Sequence, residues 1–346
     1  MPLRHAIAAA LASAAALSLA ACSSDDADAA AGAPDDTNSG SDSFPVEIEH
    51  ALGTTTIPEK PERVASVAWG NQDVALALGI APVGTDAQVW NWTGDAEPGL
   101  YEWTTQGYSA LDAEEPEVFS VSDGLDFEAI SDTDPDIILA GLSGLTEEDY
   151  DTLSQIAPVV AYPENAWYTP WRDQIALNAQ ALGLEEEGQQ LVEDLDEQIS
   201  DAAADAPEIE GKTAAFFYMN AADLSSVSLY TGGDPRTAFL EDLGFEMPQS
   251  AIDAAASGSF YVDVAEENVD ELNDVDVIVS YGDEQLISAL EDDPLWGTVP
   301  AVQNGSVVAI GEGDTFSAAV SPTALSIPWV IEDYVELLND AAANAQ

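Results

Sequence analysis

Short apolar runs recur along this chain, and segments with the spacing of amphipathic helices separate them. Six of these runs have the length and composition of strands buried in a parallel sheet. They cover residues 64–68, 136–140, 159–161, 214–218, 275–279 and 307–310. Three lie in the first half of the chain and three in the second, so the pattern predicts two α/β units of similar build.

The segment between the two units has a different pattern. Leu191, Leu195 and Ile199 form one apolar stripe at helical spacing, and Gly183 is a candidate break. We therefore predict an α/β fold of two Rossmann-like lobes with central parallel sheets, joined by a single long helix, with a ligand cleft between the lobes. The lobes would span residues 44–168 and 207–346, and the bridging helix residues 169–206.

The N-terminal residues carry a pattern typical of export. Residues 1–21 have a short basic start and then an apolar stretch without a carboxylate, as in a secretory signal too short to span a membrane. Leu19 to Cys22 spell Leu-Ala-Ala-Cys, which resembles the lipobox of bacterial lipoproteins. The resemblance implies cleavage before Cys22 and acylation of its thiol. An ordinary signal peptide followed by an incidental cysteine is the alternative.

The segment after the cysteine indicates a tether. Residues 22–43 consist mainly of Asp, Ser, Ala and Gly without an aromatic side chain, which predicts a disordered acidic linker. We therefore expect a protein held by lipid on the extracytoplasmic face of a cell membrane, on a Gram-positive surface.

Charge narrows the possible partners. The chain has 66 Asp and Glu against 6 Lys and Arg, with a formal net charge of −60. A surface of this sign repels nucleic acid, so we expect no nucleic-acid partner. The acidic residues are spread along the whole chain, which favours a solvated, salt-tolerant surface over a dedicated face for a basic partner.

Candidate metal ligands are scarce. Cys22 is the single cysteine, so no disulfide can form within the chain. Of the two histidines only His50 lies beyond the signal segment, which argues against a histidine-rich zinc or manganese site. We expect no metal held by protein side chains and no cofactor.

Several short motifs follow one another in a recognisable order. They are GTTTIP at residues 53–58, PERV at 61–64, VALALGIAPVG at 74–84, DPDII at 134–138, IAPVV at 156–160, YVDVAEEN at 261–268 and LSIPW at 325–329. In this order they resemble the substrate-binding lipoproteins of bacterial ABC importers for iron–siderophore complexes. The likeness extends from about residue 46 to the C-terminus, and this class has two lobes bridged by one long helix.

The resemblance implies capture of a ferric siderophore and its delivery to a dimeric membrane permease. In this class one glutamate per lobe docks onto permease arginines; by position these are Glu128 and Glu267, with Glu266 as a neighbouring candidate. The chelator supplies the six oxygen ligands of iron, so the protein itself needs none. We expect a monomer whose cleft closes only modestly, because one helix between two lobes resists large rotation.

A bulky chelate requires an aromatic wall and a few hydrogen-bond donors. Trp69 and Tyr218 are predicted at carboxyl ends of strands, which open onto a cleft. Arg172 and Arg236 are candidate donors, with a salt bridge to a nearby acid as the alternative for each. The full set of predicted ligand-binding residues is Trp69, Trp92, Trp171, Arg172, Tyr218, Tyr230, Arg236 and Tyr261. Further aromatic candidates are Trp90, Trp103 and Tyr168. For each aromatic residue, packing in the protein core is the alternative.

The scarcity of cations also bears on the ligand. A ferric tris-catecholate or ferric citrate is multiply anionic and would need several converging arginines. Two candidate arginines in a strongly negative field favour a neutral or cationic chelate, such as a ferric hydroxamate.

Other interpretations stay open. Cobalamin or haem would suit an aromatic cleft in the same fold, and a surface adhesin would explain the anchor but not the two lobes. An acidic secreted hydrolase could use carboxylates, but these lobes offer no Ser-His or Cys-His arrangement, and residues 141–144 do not complete a nucleophile elbow. We therefore expect no catalytic residue and no enzymatic activity.

Overall fold

The computed structural model describes residues 44–89 and 99–345. The predicted signal segment 1–21, Cys22, the predicted tether 22–43, Trp90 and Trp92 lie outside these residues. Within the described part of the chain, no helix is both long enough and apolar enough to cross a membrane.

The first lobe contains a hairpin and a parallel five-stranded sheet. The hairpin is β1 (Val46–His50) with β2 (Gly53–Ile57). The sheet strands are β3 (Val64–Ser66), β4 (Gly84–Asp86), β5 (Glu117–Phe119), β6 (Ile137–Ala140) and β7 (Val159–Ala161), in the order β5-β4-β3-β6-β7. The helices are α1 (Asn71–Ala77), α2 (Glu102–Ala110), α3 (Phe127–Asp132) and α4 (Glu147–Leu153). Every strand pair in this sheet is parallel, as the apolar runs predict.

The connection between the lobes is two helices, whereas we predicted one long helix with a candidate break at Gly183. It consists of α5 (Trp171–Leu182) and α6 (Glu185–Ala204), which end and begin on either side of Gly183. Gly183 has φ 66°, a left-handed conformation that stops the first helix and that glycine adopts without strain. Three glutamates then occupy the first turn of α6, where they complement the helix dipole. The predicted single helix is therefore corrected to two.

The second lobe is built on a mixed sheet. Its strands are β8 (Ala214–Asn220), β9 (Asp223–Tyr230), β10 (Tyr261–Ala265), β11 (Val277–Ser280) and β12 (Val307–Ala309), in the order β10-β9-β8-β11-β12. The predicted parallel pairing holds for part of this sheet and is interrupted by β9, which turns directly back from β8 and pairs antiparallel with both β8 and β10. The pairs β8–β11 and β11–β12 are parallel.

The helices of the second lobe follow the strands in turn. They are α7 (Pro235–Asp242), α8 (Gln249–Ala255), α9 (Glu284–Asp292), α10 (Pro300–Asn304), α11 (Thr315–Ala319) and α12 (Ser326–Ala342). Short 3₁₀ helices cover Pro207–Ile209, Glu266–Leu272 and Trp296–Thr298.

One hydrophobic cluster runs through both lobes and the helices between them. Val74 and Trp103 come from the first lobe, Ile175 and Leu195 from α5 and α6, and Tyr334 from α12. All five are at least 97% buried. The two-lobed α/β architecture is thus confirmed, while the lobe limits at residues 168–169 and 206–207 remain a proposed division.

Candidate ligand-binding site

A cavity of about 570 Å³ lies where the two lobes meet. Its first-lobe wall is formed mainly by the segments that follow β3, β4, β5 and β6, because the carboxyl ends of parallel strands meet at one edge of the sheet. Its second-lobe wall is formed by the end of β9, the start of α7, and residues 321 and 323 ahead of α12. The volume falls in the range of small-molecule sites.

Aromatic side chains form much of both walls. Trp69, Trp103 and Trp167 line the first-lobe side, and Tyr230 and Phe260 line the second-lobe side. The rings of Tyr230 and Phe260 stack with 6.3 Å between centroids. Flat rings on opposite sides give the cavity an apolar surface that suits a rounded, bulky ligand.

Trp167 reaches the cavity through an unusual backbone conformation. Its φ is 61°, which is rare for a bulky residue, and its backbone N–H donates to the carbonyl of Ser143 at 2.9 Å. Its ring lies against Gly144, where an added Cβ would stand 2.2 Å from the indole nitrogen. The residue remains 40% exposed, so a ligand can cover it.

Asp86 is a buried carboxylate in the cavity wall, 7% exposed, at the end of β4. Its Oδ2 accepts a hydrogen bond from the backbone N–H of Ala68 at 2.7 Å. Its Oδ1 has no hydrogen-bond partner among the described residues. Burial raises the pKa of Asp86 to about 6, although the hydrogen bond from Ala68 opposes the shift.

Two further buried polar atoms of this wall lack a partner in the described part of the chain. They are the indole Nε1 of Trp69 and the Oγ of Ser143. Unpaired buried donors and acceptors are rare in native proteins, because each forfeits its hydrogen bonds to water. Together with Asp86 they give this wall an acceptor, a donor and a hydroxyl for ligand polar groups.

A second carboxylate, Asp73 in the first turn of α1, is fully hydrogen-bonded. It accepts from Thr323 Oγ1 of the second lobe at 2.6 Å, and from Trp103 Nε1 and Thr104 Oγ1 at 2.8 Å each. Burial raises its pKa, while these hydrogen bonds act in the opposite direction. Asp73 therefore joins the lobes beneath the cavity and has little capacity left for a ligand.

Arg236 is the cation on the second-lobe wall. Its guanidinium pairs with Asp234 at 2.6 Å, lies 3.7 Å from the ring centroid of Tyr230, and donates to the hydroxyl of Tyr281 at 3.2 Å. Burial raises the pKa of Tyr230 to about 12 even though Arg236 lowers it, so the phenol is neutral at physiological pH. These contacts hold Arg236 in place at the cavity.

Three of the predicted ligand-binding residues line this cavity, and four do not. Trp69, Tyr230 and Arg236 come together here. Trp171 and Arg172 are instead tied into a network away from the cavity: the indole donates to Asp242 at 2.9 Å, and the guanidinium pairs with Asp242 and Asp196. Arg172 therefore makes the salt bridges that the sequence offered as its alternative role. Trp92 lies outside the described residues.

Tyr218 and Tyr261 also lie outside the cavity lining, for a different reason. Both are exposed, at 41% and 38%, and neither lines the cavity. Tyr218 does not end its strand as predicted, because β8 continues to Asn220 before turning into β9. Tyr261 begins β10, the edge strand of the same sheet.

Three residues of the cavity lining were not predicted from the sequence: Asp86, Trp167 and Phe260. Asp86 ends a three-residue strand, Gly-Thr-Asp, which has no apolar run to mark it. Phe260 directly precedes β10, and its aromatic character beside Tyr261 was the available signal. Nothing in the local sequence of Trp167 indicates its left-handed backbone.

Glu128 and Glu267, the predicted docking residues, are both exposed. Glu128 lies in the first turn of α3, and Glu267 in the first turn of the 3₁₀ helix Glu266–Leu272, where Glu266 is half-buried. In the described part of the chain, no three His, Cys, Asp or Glu side chains are grouped to hold a metal ion.

Comparison with known proteins gives a consistent result. The family described as periplasmic binding protein matches residues 64–312. Streptococcus pneumoniae TIGR4 PiaA in complex with ferrichrome is 44% identical, with a TM-score of 0.83 over 87% of this chain and 99% of that chain. Staphylococcus aureus SirA complexed with staphyloferrin B is 26% identical, with a TM-score of 0.66 over 85% and 98%. The probable siderophore-binding lipoprotein YfiY of Bacillus subtilis is 26% identical over 271 residues, 75% of this chain and 78% of that protein.

Asp86→Asn should change how stability depends on pH. Native Asp86 holds a proton up to about pH 6, whereas its ordinary value of 3.8 applies once the chain unfolds. Between these values the native state binds the extra proton, so the free energy of unfolding of the wild type should rise relative to the variant as pH falls from about 7 to about 4.5. We expect a relative gain of about 2 kcal/mol, measured by urea unfolding of both proteins at each pH. Parallel pH curves for the two proteins would contradict the assigned burial effect.

Proposed function

The chain belongs to the periplasmic binding protein family, and on that premise we propose that it is the extracytoplasmic substrate-binding component of an ABC importer that captures a ferric siderophore. The observation that carries this proposal is the aromatic cavity between the lobes, in a chain 44% identical to a protein solved with ferrichrome. The chelator holds the iron, so the protein acts as a carrier and needs neither a catalytic residue nor a cofactor of its own.

The ligand we favour is a ferric hydroxamate that is neutral or cationic. Among the described residues that line the cavity, Arg236 is the only cation, and Asp234 already pairs with it. Asp86 and Asp149 line the same cavity. These carboxylates would repel a multiply anionic tris-catecholate or citrate complex. The one guanidinium of the lining is already paired with Asp234, so it would offset little of that repulsion. Ferrichrome, the ligand named for PiaA, is a neutral ferric trihydroxamate.

We place the protein on the outer face of the cell membrane, as a monomer held through acylated Cys22 and the tether of residues 22–43. YfiY, a relative of this chain, is named a lipoprotein. A flexible tether would keep the binding lobes near the permease and raise their effective concentration there.

Docking to a dimeric permease would use one exposed carboxylate on each lobe. Glu128 and Glu267 occupy the first turns of comparable short helices, each of which leads into a buried strand of its sheet. Two carboxylates at matching positions on the two lobes could each bind an arginine of a symmetric permease dimer, and the two contacts would fix the orientation of the protein on it. The hydrophobic cluster shared by the lobes favours limited closure of the cleft.

Ligand class can be tested by fluorescence, because Trp69, Trp103 and Trp167 line the cavity. Titration with ferrichrome should quench tryptophan emission and saturate at a 1:1 ratio, with a dissociation constant at least about tenfold below those of ferric enterobactin and ferric dicitrate. Tighter binding of either anionic complex would overturn the hydroxamate assignment. Saturable binding of cobalamin or haem without any response to the ferric complexes would overturn the siderophore assignment itself.

Docking can be separated from ligand binding with a double variant, Glu128→Ala with Glu267→Ala. We expect uptake of a radiolabelled ferric hydroxamate to fall by about tenfold or more in cells whose only copy of the protein is the variant, while affinity for the ligand stays within about twofold. Glu147→Ala with Glu284→Ala is the matched control, since both are exposed glutamates in first turns of helices, one per lobe. Equal loss of uptake in the control would contradict a specific docking role.

A further inference from the structure

The unpaired oxygen of Asp86 is a polar feature of the cavity that the fold itself does not explain. The carboxylate lies 93% buried behind the strand ends of the first lobe, and one backbone N–H is its hydrogen-bond donor among the described residues. Ionised carboxylates accept up to four hydrogen bonds, and a buried one with a single donor lowers the stability of the protein. Such an arrangement persists when a ligand supplies the missing donor.

Among the described residues that line the cavity, no cationic side chain pairs with Asp86. The charged residues lining the cavity are Asp73, Asp86, Asp149, Asp234 and Arg236. Arg236 is held by Asp234 on the second-lobe wall. Asp73 is satisfied by its own hydrogen bonds, and Asp149 accepts from Thr146 within a capping box. Asp86 is thus the carboxylate of this cavity that has an oxygen atom, Oδ1, without a hydrogen-bond donor among the described residues.

We propose that Asp86 accepts a charge-assisted hydrogen bond from a protonated amine on the ligand, and that it selects ferric trihydroxamates carrying a pendant ammonium group over neutral ones. This inference rests on the proposed function and names the substrate subclass of the same site. The neutral iron–hydroxamate centre would contact the aromatic walls, with the free Nε1 of Trp69 donating to a chelate oxygen. The ammonium group would reach the first-lobe wall beside β4.

The bond to Ala68 offers a competing, purely structural role for Asp86. Ala68 has φ 64°, and its N–H needs an acceptor to hold the turn that carries Trp69 into the cavity. An asparagine in place of Asp86 keeps an acceptor oxygen for that N–H and removes only the charge. A structural role alone therefore predicts that Asp86→Asn affects charged and neutral ligands alike.

The test compares two ferric complexes on the intact protein by tryptophan quenching at pH 7.5 and low salt. One is the ferric complex of desferrioxamine B, whose terminal amine is protonated, and the other is its N-acetylated form, which has no charge. We expect the wild type to bind the ammonium form about 10- to 100-fold more tightly. In Asp86→Asn this preference should fall to within about threefold, with affinity for the acetylated form nearly unchanged.

Glu117→Gln provides the matched control, because Glu117 is an exposed carboxylate on β5, the neighbouring strand of the same sheet. This variant also removes one negative charge, and so changes the long-range electrostatic potential by the same charge as Asp86→Asn. It should retain the wild-type preference for the ammonium form. Equal affinity of the wild type for both complexes would overturn the proposal. So would a preference that survives in Asp86→Asn, since the acetyl group would then be excluded by size. Ferrichrome is titrated in parallel: if it binds while the preference is absent, the ammonium inference fails and the proposed function stands.

Discussion

The two lobes that form the cavity walls are held together by a hydrophobic cluster that both share. Trp103 of the first lobe lies 5.7 Å from Trp329 of α12, measured between ring centroids, and belongs to the same buried cluster as residues of α5, α6 and the second sheet. Near this cluster, the carboxylate of Asp73 accepts a hydrogen bond from the hydroxyl of Thr323 across the lobe boundary. Lobes joined in this way cannot move far apart without exposing a core, which suits a cavity that binds a bulky, rigid ligand by small adjustments.

Charge and aromatic surface have separate roles in this cavity. With a formal net charge of −60 the protein repels anions at long range, and a single engaged guanidinium lines the described part of the site. Affinity for a chelate must therefore come chiefly from burial of apolar ligand surface against tryptophan, tyrosine and phenylalanine rings. On the proposed function, the polar atoms that lack partners among the described residues, at Asp86, Trp69 and Ser143, would contribute selectivity, because a ligand with matching groups would satisfy them.

Much of the architecture could be predicted from the sequence, because buried parallel strands leave a direct signal of short apolar runs. Trp69 was predictable for the same reason, since it follows such a run and carboxyl ends of strands open onto a cleft. Features set by distant parts of the chain were not predictable. The pairing of Arg172 with Asp242 joins positions 70 residues apart, and no local pattern marks it. Tyr218 was misplaced because the strand continues into a hairpin, and Asp86 was overlooked because Gly84 and Thr85 leave its short strand without apolar character.

A crystal structure of the protein grown with saturating ferric trihydroxamate is the most direct test of the central claim, which is that the cavity between the lobes is the siderophore site. We expect iron anomalous density inside the cavity, bounded by Trp69, Tyr230 and Arg236, with all six iron ligands supplied by the chelator and the lobes displaced only slightly. Iron density elsewhere on the surface, or a protein side chain in the coordination sphere of the iron, would contradict it.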